Sequence, residues 1–289
     1  MTNLPGGTVT LADGLTLTRF GYGAMQLTGP GVMGPPEDVQ GAQEVLRAVV
    51  ELGITHIDTS DYYGPFTTNE LIRSTLYPYP EGLHLVTKVG ARRTADGGWP
   101  SALGREDLRQ AVDENLERLG LAAMDVVNLR VGGAMGPTDG SIAEPLAALV
   151  ELQEEGRIRH IGVSNVTLAQ FEEARSQAEI VCVQNRYNLA YRQDDDILAA
   201  CEEAGIGFTP FFPLGGFSPL QSATLDRVAA RLAATPLQVA LAWLMHRSPV
   251  MLLIAGTKSV QHLHENVAGA ALDLPDDALA ELDTIGASA

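Results

Sequence analysis

Three residues at the ends of two apolar segments have the chemistry of a proton-transfer site. The segment HIDTSDYYG carries Asp58 and Tyr63, and the segment LHLVTK ends in Lys88. A buried lysine is costly unless it meets an anion, so Asp58 is its expected partner. Because a neighbouring positive charge favours phenolate, Lys88 near Tyr63 would lower the pKa of the phenol and suit it to proton transfer. Spacing alone equally allows a structural Asp–Lys pair beside an ordinary tyrosine at the rim.

Amide, hydroxyl and aromatic groups follow other apolar runs and could hold a ligand. HIGVSN ends in Ser164 and Asn165, and VCVQNRYN places Gln184 at the end of its run. Such groups suit a carboxamide. FTPFFPLGG supplies Phe211 and Phe212, of which one could stack on a flat ring, although core packing is the more usual role of aromatic side chains.

The segment LLIAGTKSVQHLHEN predicts a strand, a loop and a helix. Thr257, Lys258 and Ser259 fall at the start of that helix, where backbone N–H groups, hydroxyls and one lysine suit a phosphate. Many helices begin this way, so the signal is weak when taken alone. No metal site is expected, because His262 and His264 lack metal-ligand spacing. The segment GYGAMQ at 21–26 resembles a dinucleotide-binding fingerprint but has Gln26 in place of its third glycine. A tight turn at the end of a strand is the better interpretation of this segment.

These residues would be positioned by repeated strand–helix units. Strand-like runs occur near 20–24, 54–58, 84–88, 124–130, 158–163, 181–185, 206–210 and 251–254. Helical patterns occur near 38–52, 67–76, 104–119, 143–155, 167–178, 193–204, 222–234 and 259–270. An N-terminal hairpin turning at Asp13-Gly14, a further helix from Thr235-Pro236 and a final helix over 276–285 complete the pattern.

Eight such units predict an α/β fold, a (β/α)8 TIM barrel with an N-terminal β-hairpin and extra C-terminal helices. The barrel would be a single domain over residues 1–289, because no linker or low-complexity tract divides the chain. In such barrels chemistry occurs where strands end and loops begin. The polar groups above follow predicted strands, with Asp61 and Tyr62 expected on the rim and without a catalytic role.

Composition limits the partners of this 289-residue chain. A net charge of −17 argues against nucleic acid or an anionic membrane surface as the main partner. No run of about 18 apolar residues occurs, so no membrane span is expected. Two cysteines form no disulfide framework, and the N-terminus has no secretory pattern, which together favour a cytoplasmic location. The oligomeric state is left open, and a monomer is compatible with the sequence.

The chain resembles the aldo-keto reductases over essentially its whole length. The blocks HIDTSDYYG, LVTK, GVSN, QNRYN, FFPLGG and IAGTKSVQHLHEN match that family's blocks in order. The resemblance implies a barrel that uses NADPH to reduce a small-molecule carbonyl substrate by hydride transfer. It also implies that Tyr63 is the general acid and that Lys88 and Asp58 tune it.

The resemblance further implies two sets of binding residues. Cofactor contacts are expected from Gly23, Ala24, Met25, Ser164, Asn165, Gln184, Phe211, Pro213, Leu214, Gly215, Gly256, Thr257, Lys258, Ser259, His262, Glu265 and Asn266. The substrate pocket is expected to include Gln26, Tyr62, Trp99, Arg130 and Phe212.

One departure from the family pattern concerns catalysis. The family usually has a histidine after the fourth barrel strand, and an ungapped match with DVVNLRVGGAMG puts Gly133 there. Either Tyr63 alone or Arg130 or a group on the substrate would then orient the carbonyl. The family also often has an arginine where this chain has His262. The resemblance implies that this position contacts the adenosine phosphate of the cofactor.

A bacterial subgroup of the family is more similar still. The blocks GYGAMQLTGPGVMGPPED, HIDTSDYYGP, VVNLRV and PFFPLGGFSPLQS resemble a subgroup that includes a pyridoxal reductase and also lacks the histidine. This resemblance implies reduction of pyridoxal to pyridoxine. Three alternatives remain: reduction of other aromatic or aliphatic aldehydes or ketones, a weakly catalytic NADP(H)-binding sensor, and a barrel isomerase or lyase that uses Lys88 as a Schiff-base nucleophile.

Overall fold

A computed structural model describes residues 4–133, 136–216 and 220–286. Two of the sequence blocks extend outside these residues. They are VVNLRVGGAMG, which includes residues 134–135, and PFFPLGGFSPLQS, which includes residues 217–219.

The N-terminal hairpin closes one end of the molecule. Strands β1 (Thr8–Ala12) and β2 (Leu15–Thr18) pair antiparallel around a turn at residues 13–14, as the sequence predicts. Gly14 has a φ of 74°, a left-handed conformation that glycine adopts without steric cost. Leu15 and Leu17 are buried against Val86, Val126 and other apolar residues of the barrel strands. The hairpin therefore covers the barrel on the side opposite to the strand ends.

Eight strands form the predicted parallel sheet. They are β3 (Phe20–Gly23), β4 (His56–Asp58), β5 (His84–Val89), β6 (Met124–Arg130), β7 (Ile158–Ser164), β8 (Ile180–Arg186), β9 (Gly207–Phe211) and β10 (Leu253–Ile254). Their order is β10-β3-β4-β5-β6-β7-β8-β9. The Leu252 N–H donates to the Phe208 carbonyl at 2.8 Å and brings the two outer strands together. The (β/α)8 barrel is confirmed.

Ten helices accompany the strands. They are α1 (Val39–Glu51), α2 (Thr67–Leu76), α3 (Arg105–Leu119), α4 (Ala143–Glu154), α5 (Leu168–Gln177), α6 (Asp195–Ala204), α7 (Ala223–Arg231), α8 (Pro236–Arg247), α9 (Val260–Ala270) and α10 (Asp276–Asp283), counted over the described residues. Thr167 and Thr235 begin α5 and α8 with capping boxes that Gln170 and Gln238 complete. These starts are where the sequence predicts them.

Strand register determines which side chains meet. Gly23 pairs with Asp58 across β3 and β4, and Lys88 pairs with Asn128 across β5 and β6. Arg130, Ser164 and Gln184 form one row across β6, β7 and β8. Since all these strands are parallel, their carboxyl ends lie on the same face of the barrel.

Within the described ranges, no single helix is long and apolar enough to cross a membrane. The bent pair of α7 and α8 meets the length and composition criterion only when both helices are taken together.

Candidate active site

Lys88 and Asp58 form a buried ion pair inside the barrel mouth. Lys88 Nζ lies 2.7 Å from Asp58 Oδ1 and donates a second bond to the Thr59 carbonyl at 2.9 Å. Both side chains are about 95% buried, at 5% and 3% exposure. Burial raises the pKa of the Asp58 carboxyl, while the charge and the hydrogen bond of Lys88 act in the opposite direction. The predicted pairing is confirmed.

Tyr63 lies beside this pair, but its pKa does not shift as predicted. Lys88 Nζ is 5.1 Å from the centroid of the Tyr63 ring, and no described residue hydrogen-bonds to the Tyr63 hydroxyl. Burial raises the pKa of this phenol above its ordinary value, Asp58 raises it further, and Arg130 lowers it. The prediction that Lys88 lowers the pKa is wrong here, because the loss of solvation outweighs nearby positive charge. Tyr63 is therefore a firmly protonated donor.

Gln184 is part of a polar chain through the barrel interior. Its amide nitrogen donates to Asp58 Oδ2 at 3.0 Å, and its oxygen accepts from Asn128 Nδ2 at 3.5 Å. Cys182 Sγ donates to Asn128 Oδ1 at 3.2 Å. The sequence analysis predicts that Gln184 binds a carboxamide, whereas this geometry commits its nitrogen to the Asp58 carboxylate. The role of Asn128 was missed, because an asparagine within an apolar strand carries no periodic signal.

Asn165 supports the loop that follows β6. Its amide nitrogen donates to the carbonyls of Val131, Gly133 and Gly136 at 2.8 to 2.9 Å. Its backbone has a φ of 60°, in the left-handed region that asparagine tolerates better than most residues. Any contact of this side chain with a ligand would therefore use its oxygen.

Ser164 provides the free polar group of this row. Its hydroxyl is buried, and none of the described residues forms a hydrogen bond with it. Buried hydroxyls are normally paired, so an unpaired one beside Gln184 is a candidate contact for a ligand amide.

A first cavity of about 170 Å³ opens beside Tyr63. Its walls are mostly apolar and aromatic, and they comprise Met25, Gly31, Val32, Tyr62, Tyr63, Lys88, Gly90, Ala91, Trp99, Ser101, Arg130, Gly132, Gly133, Phe211 and Phe212. Four of the five residues predicted for the substrate pocket lie here. Gln26 lies instead in the second cavity, because it belongs to the short turn that follows β3 on that side.

Arg93 holds one wall of the first cavity and was missed in the sequence. Its guanidinium lies 4.0 Å from the centroid of the Trp99 ring and donates to the carbonyls of Gly31 and Gly97 at 2.8 and 2.7 Å. Trp99 in turn packs edge-on against Tyr62, with ring centroids 5.3 Å apart. An arginine in a predicted loop gives no pattern from which these contacts could be inferred.

Tyr62 and Asp61 are more buried than the sequence analysis predicts, which places both on the rim. Their exposed fractions are 4% and 5%.

Arg130 faces the first cavity from the end of β6. It donates to the Gly133 carbonyl at 3.3 Å, and its guanidinium carbon lies 5.5 Å from the centroid of the Phe211 ring. Among the described residues no carboxylate lies within ion-pair distance of it. Gly133 itself supplies no side chain where the family histidine would be.

A second cavity of about 320 Å³ meets the first at Tyr63 and Lys88. Seven of the predicted cofactor residues line it, namely Gly23, Met25, Gln184, Phe211, Pro213, Leu214 and Gly256. Gln26, Asp58, Phe212, Gly216, Leu237, Ile254 and Ala255 complete its walls. A Cβ atom on Gly256 would lie 2.5 Å from the Gly23 carbonyl, so the two loops approach as closely as they do only because this residue is glycine. Ala24 is fully buried, and neither it nor Gly215 lines the cavity.

The remaining predicted cofactor residues lie at the start of α9. Ser259 caps the helix by accepting from the His262 N–H, and Thr257 Oγ1 accepts from the Ser259 N–H at 3.2 Å. Lys258 and His262 are exposed, while Glu265 accepts a hydrogen bond from Gln261. Asn266 follows on the same helix and is partly exposed. A helix start with the exposed side chain of Lys258 is compatible with phosphate binding.

Comparisons with known proteins agree with this geometry. The model of the aldo/keto reductase family matches residues 19–287. The chain is 56% identical over 272 residues to pyridoxine 4-dehydrogenase of Escherichia coli (strain K12), covering 93% of this chain and 95% of that protein. It is 38% identical over 283 residues to an uncharacterized oxidoreductase of Schizosaccharomyces pombe, covering 98% and 90% of the two chains.

Solved structures show the same fold. A crystal structure of a thermostable aldo-keto reductase with the inhibitor epalrestat is 31% identical, with a TM-score of 0.79 over 94% of this chain and 97% of that one. An aldo-keto reductase from Klebsiella pneumoniae in complex with NADPH is 25% identical, with a TM-score of 0.78 over 96% and 95% of the two chains.

Proposed function

The chain belongs to the aldo/keto reductase family, and from this premise we propose that it reduces pyridoxal to pyridoxine with NADPH, with Tyr63 as the general acid. As an enzyme it is an NADP-dependent oxidoreductase. The observation that carries the proposal is the meeting of the two cavities at Tyr63 and Lys88. A cofactor in one cavity and a carbonyl in the other would share the wall from which this proton donor projects.

The second cavity would hold the nicotinamide part of the cofactor, where Phe211 offers an aromatic face to a flat ring. Ser164 does not line this cavity, but its strand register places it beside Gln184, and its unpaired hydroxyl would be a donor and acceptor for the carboxamide. The start of α9, with Lys258 exposed, would hold a phosphate. When bound, NADPH supplies the hydride, and the protein supplies binding, orientation and electrostatics.

The proton comes from Tyr63. Burial keeps the phenol protonated, so its O–H is available to donate to the substrate's carbonyl oxygen as negative charge develops there. Lys88 lies 5.1 Å from the ring and stabilises the phenolate left after the transfer. Asp58 holds Lys88 in place and keeps the pair neutral overall. With a substrate bound, the walls formed by Tyr62 and Trp99 would shield the reacting centre from bulk water.

The substrate assignment rests on similarity and on the pocket. A dehydrogenase that acts on pyridoxine is, in the reverse direction, a reductase of the corresponding aldehyde. The aromatic walls Tyr62, Trp99 and Phe212 suit a flat ring. Reduction of other aromatic aldehydes would use the same site.

The two non-reductase alternatives are less compatible with the geometry. A Schiff-base lysine must be deprotonated to attack, whereas Lys88 is bound to Asp58 at 2.7 Å and to a carbonyl oxygen. The sensor alternative has its support in the missing histidine, whereas the buried Lys88–Asp58 pair beside Tyr63 favours the reductase.

Consumption of NADPH with pyridoxal tests the proposal, with benzaldehyde and NADH as comparisons. Pyridoxal should be reduced with NADPH, faster than benzaldehyde, and Tyr63→Phe should abolish the reaction while NADPH still binds. The matched control is Tyr77→Phe, since Tyr77 is 56% exposed and distant in the fold. NADPH binding without turnover of any aldehyde would contradict the proposal and favour the sensor.

A further inference from the structure

The first cavity contains one positive charge, on Arg130, that none of the described residues neutralises. Only two charged residues line it, Lys88 and Arg130, and the rest of its described walls are apolar, aromatic or uncharged. Lys88 is neutralised by Asp58 at 2.7 Å. Arg130 has only the Gly133 carbonyl and the face of Phe211 as partners on the described part of the chain.

Arg130 differs from most of the described arginines in having no ion pair. The chain carries 36 acidic and 19 basic residues, and ion pairs occupy most of its described arginines. The Arg130 side chain is partly exposed at the cavity wall, and an anionic ligand there would supply the charge partner that no described residue provides. Unlike lysine, arginine presents a planar fork that can contact two adjacent oxygens at once.

We propose that Arg130 binds an anionic oxygen located ortho to the aldehyde, so that the enzyme selects aromatic aldehydes with an ionised ortho-hydroxyl group. The inference rests on the proposed carbonyl-reductase function and makes its substrate class more specific. Such a substrate presents its carbonyl oxygen and its phenolate oxygen side by side. Tyr63 donates to the carbonyl oxygen, while the Arg130 fork contacts the phenolate oxygen and fixes the orientation of the carbonyl.

The position of Arg130 relative to Tyr63 supports this division of roles. Both residues line the first cavity, and the charge of Arg130 acts on the Tyr63 phenol. The loop at Gly133 offers no imidazole, and among the described residues a Cβ there would meet nothing nearer than the Gly136 carbonyl at 3.8 Å. The orienting contact that the family histidine would make is thus supplied jointly by Arg130 and by the substrate's own hydroxyl group.

Four aldehydes test the inference: 2-hydroxybenzaldehyde, 2-methoxybenzaldehyde, 4-hydroxybenzaldehyde and benzaldehyde. The wild-type enzyme should favour the 2-hydroxy compound in kcat/KM by roughly 10-fold or more, the range of one charge-assisted hydrogen bond. In Arg130→Gln this preference should fall to about threefold or less, and Arg130→Lys should retain part of it. Arg175→Gln is the matched control, since Arg175 lies on α5 and pairs with Glu172.

Binding provides a readout that needs no turnover. With NADP+ present, quenching of tryptophan fluorescence at Trp99 should show tighter binding of the 2-hydroxy than of the 2-methoxy compound in wild type, and equal binding in Arg130→Gln.

The outcomes separate this inference from the proposed function. If pyridoxal is not reduced but the 2-hydroxy preference depends on Arg130, the pyridoxal assignment fails and the inference stands. If pyridoxal is reduced and Arg130→Gln lowers kcat/KM equally for all four aldehydes, the inference is overturned and the function stands. Absence of any 2-hydroxy preference in wild type, in both kinetics and binding, also overturns it.

Discussion

The amide nitrogen of Gln184 donates to Asp58 Oδ2 at 3.0 Å, so one side chain joins the wall of the second cavity to the buried Lys88–Asp58 pair. Asp58 Oδ1 is already bound by Lys88, which means that both carboxylate oxygens have a buried partner. Charge-assisted bonds of this kind are stronger than neutral ones and hold the carboxylate in one orientation. We therefore expect Gln184 to influence the proposed proton transfer through Asp58.

Replacing Gln184 by methionine should impair catalysis more than cofactor binding. The variant keeps the length of the side chain but removes a hydrogen bond to a charged group, worth about 1.5–3 kcal/mol, so kcat should fall by roughly 10- to 150-fold. The dissociation constant of NADPH, followed by fluorescence, should change less than about threefold. Gln40→Met on the exposed face of α1 is the control. A large loss of NADPH affinity with kcat unchanged would restore Gln184 to the role of carboxamide binder.

Removing the charge of Lys88 while Asp58 is kept should destabilise the fold. In Lys88→Met the Asp58 carboxylate loses its buried counter-charge, which typically costs about 3–5 kcal/mol in the free energy of unfolding. The double variant Lys88→Met with Asp58→Asn should recover most of that stability, because neither charge remains, but it should not recover activity. Urea unfolding monitored by circular dichroism measures both effects.

The surface pair of Arg175 and Glu172 provides the control for that cycle. Arg175→Gln should change the free energy of unfolding by less than about 1 kcal/mol, as exposed pairs do. A single Lys88→Met variant as stable as wild type would mean that Asp58 takes up a proton and needs no partner.

Periodicity was sufficient to predict the scaffold from sequence. The apolar run ending in Lys88 and the capping residue Thr235 each mark the boundary of an element through local chemistry. The pairing of Lys88 with Asp58 was also predictable, because a buried lysine requires a nearby anion and Asp58 lies at the end of the adjacent strand. The cofactor residues were located through resemblance, and the structure brings seven of them to one cavity.

Other features of the site depend on contacts between distant segments. Arg93 joins two loops and lies over the ring of Trp99. Asn128, on β6, donates a hydrogen bond to the side-chain oxygen of Gln184, on β8. Neither follows from local periodicity. The direction of the Tyr63 pKa shift was also missed, because the sequence shows which charges are near a phenol but not how much water the fold removes from it.

The protonation state of Tyr63 leads to a prediction for the pH profile. Since burial raises the pKa of the phenol above its ordinary value of 10, Tyr63 should remain a proton donor at least up to about pH 10. With benzaldehyde, which does not ionise, kcat/KM for reduction should stay flat between about pH 7 and pH 9.5. A decline with an apparent pKa near neutrality would show instead that Lys88 lowers the phenol pKa in the working enzyme.

Asp61 should make the stability of the protein depend on pH. It is 5% exposed, and burial together with the charge of Glu114 raises its pKa from 3.8 to about 7. Between these two values the folded chain holds a proton that the unfolded chain has released. The folded state therefore binds more protons, and the free energy of unfolding falls as the pH rises from about 4 to 7.

The variant Asp61→Asn should remove this dependence, because its side chain stays neutral in both states. Relative to wild type, the free energy of unfolding of Asp61→Asn should increase as the pH rises. Each pKa unit between the folded and unfolded states corresponds to about 1.4 kcal/mol, so the gain between pH 4 and pH 8 should be at most about 4 kcal/mol. Urea unfolding of both proteins at a series of pH values measures the gain. Asp273→Asn, at an exposed position, should run parallel to wild type. If the difference between Asp61→Asn and wild type is the same at every pH, the Asp61 carboxyl titrates at its ordinary pKa, and its burial is relieved by contacts with water in solution.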